Sequence, residues 1–87
     1  MVEALRRLLE RVGAIGPVTT GDLFKLCRPI AEEENLPFPD TASGFGQRLT
    51  GLRRVIELEL RVKFVERTAG GGRRVVTLTP LELTRGV

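Results

Sequence analysis

Eighty-seven residues are enough for one domain built around one small core. A hydrophobic content of 41% beside 29% charged residues excludes an intrinsically disordered chain. No apolar run approaches the roughly 20 residues that a membrane-spanning helix needs. The formal net charge of +3 is unevenly placed. Residues 1–41 carry five bases (Arg6, Arg7, Arg11, Lys25, Arg28) against seven acids, whereas residues 42–80 carry eight bases (Arg48, Arg53, Arg54, Arg61, Lys63, Arg67, Arg73, Arg74) against Glu57, Glu59 and Glu66. That split predicts an anionic partner for the C-terminal half. Arginine dominates the bases and suits bidentate contact with phosphate or guanine. The N-terminus is amphipathic and has no signal-peptide core, and the single cysteine fits a reducing compartment, so a cytoplasmic protein is expected.

The first helix is predicted over 2–12, with Val2, Leu5, Leu8, Leu9 and Val12 as its apolar stripe and Gly13 where it ends. A connector over 14–18 follows, in which Ile15 and Val18 turn toward the core and Val18 pairs as a short strand. The second helix is predicted over 20–34, capped by Thr19 or Thr20, with Asp22 in its first turn against the positive end of the helix dipole. Leu23, Phe24, Leu26, Cys27, Ile30 and Ala31 supply its buried side. Pro29 removes one backbone donor there and predicts a kink. Cys27 reads as a small core residue because no histidine or second cysteine accompanies it. The two prolines of 35–40 end the helix, with Leu36 and Phe38 anchoring the turn.

The third helix is predicted over 42–57, capped by Thr41 or Asp40. Phe45, Leu49, Leu52 and Ile56 fall at spacings of four, three and four, one stripe of a 3.6-residue period. Its opposite face reads Ser43, Gln47, Thr50, Gly51 and Arg54, with Arg48 and Arg53 on the flanks. These residues are small or carry hydrogen-bond donors, and none is acidic, as a helix entering a DNA major groove requires. Gly44, Gly46 and Gly51 each cost helix stability, about 1 kcal/mol against alanine. From Leu58 the period changes to two, predicting a strand in which Leu58, Leu60, Val62 and Phe64 share one face. A glycine-rich turn and a β-branched run over 73–79 complete a hairpin with Arg67, Arg73 and Arg74 about its tip, and Pro80 ends it. No helix follows the glycines, so the turn is not a nucleotide-binding loop.

This order of elements resembles a winged helix-turn-helix domain over residues 1–80, an α+β fold of three helices with a C-terminal antiparallel hairpin wing and a short tail over 81–87. The resemblance implies double-stranded DNA as partner. Ser43, Gln47, Thr50 and Arg54 would face bases, Arg48 and Arg53 would sit on phosphates, and Arg67, Arg73 and Arg74 would be wing contacts. The runs G-P-V-T-T-G-D-L-F, L-P-F-P-D-T-A-S-G-F-G-Q-R-L and L-R-V-K-F-V-E-R-T-A-G-G-G-R-R-V-V-T-L are also similar to the C-terminal winged-helix segment of phage- and plasmid-type primase–helicases. They depart from it in Pro29 and in the long turn after the second helix. That similarity implies replication or regulation of a mobile element.

The alternative is a docking module of a larger assembly, a role that winged helices also serve. Four phenylalanines on buried stripes, without Trp or Tyr, argue against a stacking platform for single strands. An enzyme is not expected: there is no histidine, no nucleophile elbow and no phosphate loop, and no cofactor, metal or small-molecule substrate is implied. One helix reads only a few base pairs, so a homodimer or a larger replication protein is a natural context.

Overall fold

The computed structural model of the protein describes residues 1–68 and 70–81. The elements run α1 (Val2–Val12), β1 (Ile15–Thr19), α2 (Thr20–Glu33), α3 (Ala42–Gly51), α4 (Arg53–Leu60), β2 (Val62–Thr68), a short 3₁₀ turn (Gly70–Gly72) and β3 (Arg74–Pro80). The described residues form an α+β fold of four helices on a three-stranded antiparallel sheet. Among the described residues no helix is long and apolar enough to cross a membrane. The predicted tail, apart from Leu81, lies outside the described residues.

α1 buries Ala4, Leu5 and Leu8, while Leu9 and Val2 pack on the core margin. Val12, expected on the same stripe, is exposed at the helix end, where Gly13 turns the chain with a φ of 81° and donates to the Leu9 carbonyl. α2 starts at a Thr19 cap whose hydroxyl accepts from the Asp22 amide at 3.1 Å. It continues through Pro29 to Glu33 as one helix. Asn35, at φ 54°, closes it: the Leu36 amide returns to Ala31 O and the Asn35 amide to Glu32 O, which satisfies two terminal carbonyls. The proline-rich turn then delivers Phe38 into a triangle with Phe24 and Phe45, ring centroids 5.4 to 5.8 Å apart, that locks α2, the turn and α3 together.

The sheet has the order β1–β3–β2. Val62, Phe64, Val76, Leu78 and Ile15 face the helices and are buried; Lys63, Val65 and Arg67 alternate onto the outer face. β1 is longer than the single pairing expected at Val18. It joins β3 through Ile15, Val18 and Thr19, with an irregularity between Ile15 and Val18 and a cis Gly16–Pro17 bond. Gly16 has a φ of 93°, and a Cβ there would collide with the Val76 carbonyl oxygen, so only glycine lets the two backbones approach this closely.

The third helix differs from its prediction. Leu52, at φ −99° and ψ 10°, interrupts it and divides α3 from α4, and α4 continues to Leu60, where a strand was expected. Leu58 is consequently 79% exposed rather than a strand residue facing inward. The cause is a contact across the fold. Arg53 and Glu57, one helical turn apart, bracket the edge strand β2: Arg53 Nη2 donates to the Phe64 carbonyl at 3.1 Å, and the Phe64 amide donates to Glu57 Oε2 at 3.2 Å. The Arg53 guanidinium also lies over the Phe64 ring, 5.5 Å from its centroid. This clamp satisfies edge groups that would otherwise invite pairing with another strand. It requires residues 53–57 to be helical; α4 runs on to Leu60, and Arg61, in the left-handed region at φ 52°, then turns the chain into β2.

Candidate nucleic-acid interface

Three elements meet at an open groove of about 380 Å³, lined by Thr20 of α2, Ala42, Ser43, Gly46 and Gln47 of α3, and Gly72 and Arg74 of the hairpin. The caps bring them together. Thr41 Oγ1 accepts from the Gly44 amide at 3.0 Å and starts α3 beside the N-terminus of α2, where a Cβ added at Gly46 would come into ordinary contact with Thr20. Buried Phe45 and Leu49 fix the inner face of α3, so Ser43 and Gln47 are turned outward.

The nine residues singled out from the sequence divide into groups. Ser43, Gln47 and Arg74 share the groove, and Arg73 is exposed beside it at the hairpin tip. Thr50 lies one turn further along α3, where its hydroxyl accepts from Arg74 Nη1 at 3.0 Å. Arg48 is exposed on a flank of α3. Together with burial, its charge lowers the pKa of the Met1 amino group, burial being the larger cause. Arg53 is engaged with Phe64 in the edge clamp. Arg54, carried by α4 beyond the Leu52 break, borders a separate depression with Glu57 and Leu58. Arg67 is opposite Val75 on the outer sheet face, where it lines a depression with Pro17, Thr68, Val75 and Thr77.

Two features of the site were not singled out from the sequence. Thr20 and Gly72 line the groove, placed there by the tertiary approach of α2 and the hairpin. Glu66 contributes a carboxylate next to Arg74, with Oε2 3.7 Å from Arg74 Nε and 3.4 Å from the Thr50 hydroxyl. The signal for Glu66 was present in the strand alternation: two residues beyond Phe64, it falls on the helix-facing side.

Among the described residues, the acids of 42–80 are all engaged: Glu57 with the Phe64 amide, Glu59 with Arg6 at 3.7 Å, and Glu66 with Arg74. Among the described residues, Arg48, Arg54, Arg61, Lys63, Arg67 and Arg73 have no acidic partner within ion-pair distance. Elsewhere, burial pushes the Cys27 thiol up to about 12, so it is neutral at physiological pH, and no group of three metal-ligating side chains is found among the described residues. No family model, curated protein or solved structure matches this chain.

Proposed function

We propose that this chain is a winged helix-turn-helix domain that binds double-stranded DNA. In this reading α2, the turn after it and α3 are the helix-turn-helix, α3 and α4 together stand for the third helix, and the β2–β3 hairpin is the wing. The observation that carries it is the groove in which Ser43 and Gln47 of α3 lie beside Arg74 of the hairpin, itself paired with Glu66, while Arg73 at the hairpin tip and Arg48 on the flank of α3 are exposed and have no acidic partner among the described residues. An α-helix about 10–12 Å across fits a B-form major groove about 12 Å wide. Gln47 offers the paired donor and acceptor that match an adenine edge, and Ser43 bonds either kind of edge. Arg48, Arg73 and Arg74 take phosphates. Arg54 and Arg67 stand away from the groove and add to the attractive field, and Arg53 belongs to the scaffold. The similarity to primase–helicase C-terminal segments supports placing this activity in the replication of a mobile element.

The test is a fluorescence-anisotropy titration with a labelled random-sequence duplex and the matching single strand at several salt concentrations. Duplex affinity is expected to fall with salt with a log–log slope of about −2 to −3, the counterion release of three arginine–phosphate contacts. Flat anisotropy at low salt, with protein in the range of about tens of micromolar where non-specific binding is ordinarily detected, overturns the reading.

A second reading, a docking module, is favoured by one observation. α4 exposes Val55 at 43% and Leu58 at 79%, three residues apart on one helical face. Salt-independent association with a protein, abolished by Leu58→Glu and accompanied by no duplex binding, would establish it instead.

A further inference from the structure

Glu66 introduces a negative charge beside the cation that lines the groove, an arrangement that at first sight opposes binding of an anion. Three side chains from three elements close a triangle there: Thr50 of α3, Glu66 of β2 and Arg74 of β3. Arg74 Nη1 donates to Thr50 Oγ1 at 3.0 Å, Arg74 Nε lies 3.7 Å from Glu66 Oε2, and the same Oε2 is 3.4 Å from Thr50 Oγ1. The single proton of the Thr50 hydroxyl is shared between this carboxylate and Gly46 O at 3.2 Å. The strand register sets up the contact, because Thr68 is directly opposite Arg74 and Glu66 stands diagonal to it on the same face. The guanidinium is thereby held on its Nε and Nη1 sides, and its Nη2 group has no partner among the described residues.

An exposed ion pair contributes little to folding. The Arg74 side chain is 48% exposed, so stability gives no strong account of the triangle. A flexible arginine that must be immobilised on binding loses affinity, and one already held does not. We propose that Glu66 is a positioning residue for DNA binding: it fixes Arg74 against Thr50 so that the free Nη2 edge is presented to a phosphate. The inference rests on the duplex-binding reading and gives the groove's acid a role within it.

The two effects of Glu66 have opposite signs, which makes the test decisive. Glu66→Ala raises the net charge by one, and charge alone would tighten binding to any duplex. Loss of positioning weakens it. Affinity for a random-sequence duplex is measured for the full chain as wild type, Glu66→Ala, Glu66→Gln, Arg74→Ala and the double variant Glu66→Ala/Arg74→Ala, with a thermal melt of each. Glu66→Ala is expected to bind about fivefold more weakly, the factor associated with immobilising one long side chain, at an unchanged Tm. Glu66→Gln, which keeps an acceptor, recovers part of the loss. In the Arg74→Ala background the sign reverses, and removing Glu66 tightens binding. Thr50→Val, which removes the third corner, weakens binding in the same way as Glu66→Ala. If the wild type binds and Glu66→Ala binds equally or more tightly, the positioning role is overturned while the DNA reading stands. If the wild type shows no salt-sensitive duplex binding, both are overturned.

Discussion

The two halves of the chain use the same side chain in opposite ways. In the helical N-terminal half, three of the four arginines are paired, Arg11 being the exception among the described residues. Arg6 meets Glu3 at 3.3 Å and Glu59 at 3.7 Å, Arg7 meets Glu34 at 3.0 Å and Glu10 at 3.5 Å, and Arg28 meets Glu32 at 3.6 Å. In the half formed by α3, α4 and the hairpin, most cations face solvent with no acid within ion-pair distance among the described residues. Exposed pairs add little to stability, so the main consequence of pairing is to cancel the local field. Both halves supply the core: the phenylalanine triangle takes Phe24 and Phe38 from the paired half and Phe45 from α3, and Val62, Phe64, Val76 and Leu78 complete the packing from the sheet. The unpaired half alone keeps a field that reaches about 8 Å at physiological salt. Folding thus draws on both regions whereas anion attraction is assigned to one, and that contrast can be challenged directly.

The largest effect is expected in the core. Phe45 is fully buried and touches both other rings of the triangle. Phe45→Ala should cost about 3–5 kcal/mol of unfolding free energy, read from a urea melt. Because Phe45 also fixes the inner face of α3, duplex binding should weaken beyond the unfolded fraction. Full affinity in the folded fraction would show that this core contact does not set the direction of Ser43 and Gln47.

Next come charge reversals. Arg48→Glu with Arg73→Glu should lower duplex affinity by at least about tenfold near 0.1 M salt and flatten the salt slope by about two units. The melting temperature should stay nearly constant, since neither residue has an acidic partner among the described residues. The matching change in the paired half, Arg7→Ala, should do the reverse, lowering stability by up to about 1 kcal/mol with affinity retained. Losses of affinity in proportion to the charge removed, four units in the first variant and one in the second, would show that net charge alone, and not its placement, governs binding.

Cys27 sharpens the comparison from within the paired half. Burial pushes its thiol from an ordinary value near 9 up to about 12. Between those values the unfolded chain has lost a proton that the folded chain keeps. Stability should therefore be fully present below pH 9 and decline as pH rises toward 12, by at most about 1.4 kcal/mol per pH unit. Urea melts at pH 8.5 and 10 should show this decline in the wild type and a smaller one in Cys27→Ala. Parallel pH dependences would mean that the thiol ionises freely and that the core around α2 is looser than its packing indicates.

These expectations also show where local sequence was informative. α1 and α2 were legible because apolar period, threonine caps and Gly13 agree with one another along the chain. The hairpin was legible from alternation about a glycine turn. The end of the third helix was not, because residues 58–64 satisfy both periods, and the choice is made by Arg53 and Glu57 closing on Phe64. That contact lies across the fold and leaves no local mark. In the site, Ser43 and Gln47 follow from the stripe that buries Phe45 and Leu49. The direction of Arg54 depended on a helix running straight through Leu52, and Arg67 takes the outer face because strand parity separates it from Glu66 and Arg74. A tally of positive charge finds the half of the molecule but not the direction of each cation, which is set by register.

The smallest effect tests the joint between the reading helix and its support. Gly51 ends α3 immediately before Leu52, and a Cβ there would meet nothing within 4 Å. Its φ is not in the left-handed region, so alanine fits the existing backbone. Gly51→Ala should stabilise the fold by about 0.4–1 kcal/mol, chiefly by restricting the unfolded chain. If the bend at Leu52 is set by the Arg53–Phe64–Glu57 clamp, duplex affinity should not change, because the clamp holds α4 whatever residue precedes it. If affinity falls although stability rises, the angle between α3 and α4 depends on the freedom of the glycine. Adding Arg53→Ala to Gly51→Ala then distinguishes the two sources. A clamp-determined joint should lose both stability and affinity in the double variant, whereas a glycine-determined joint should lose stability with no further loss of affinity.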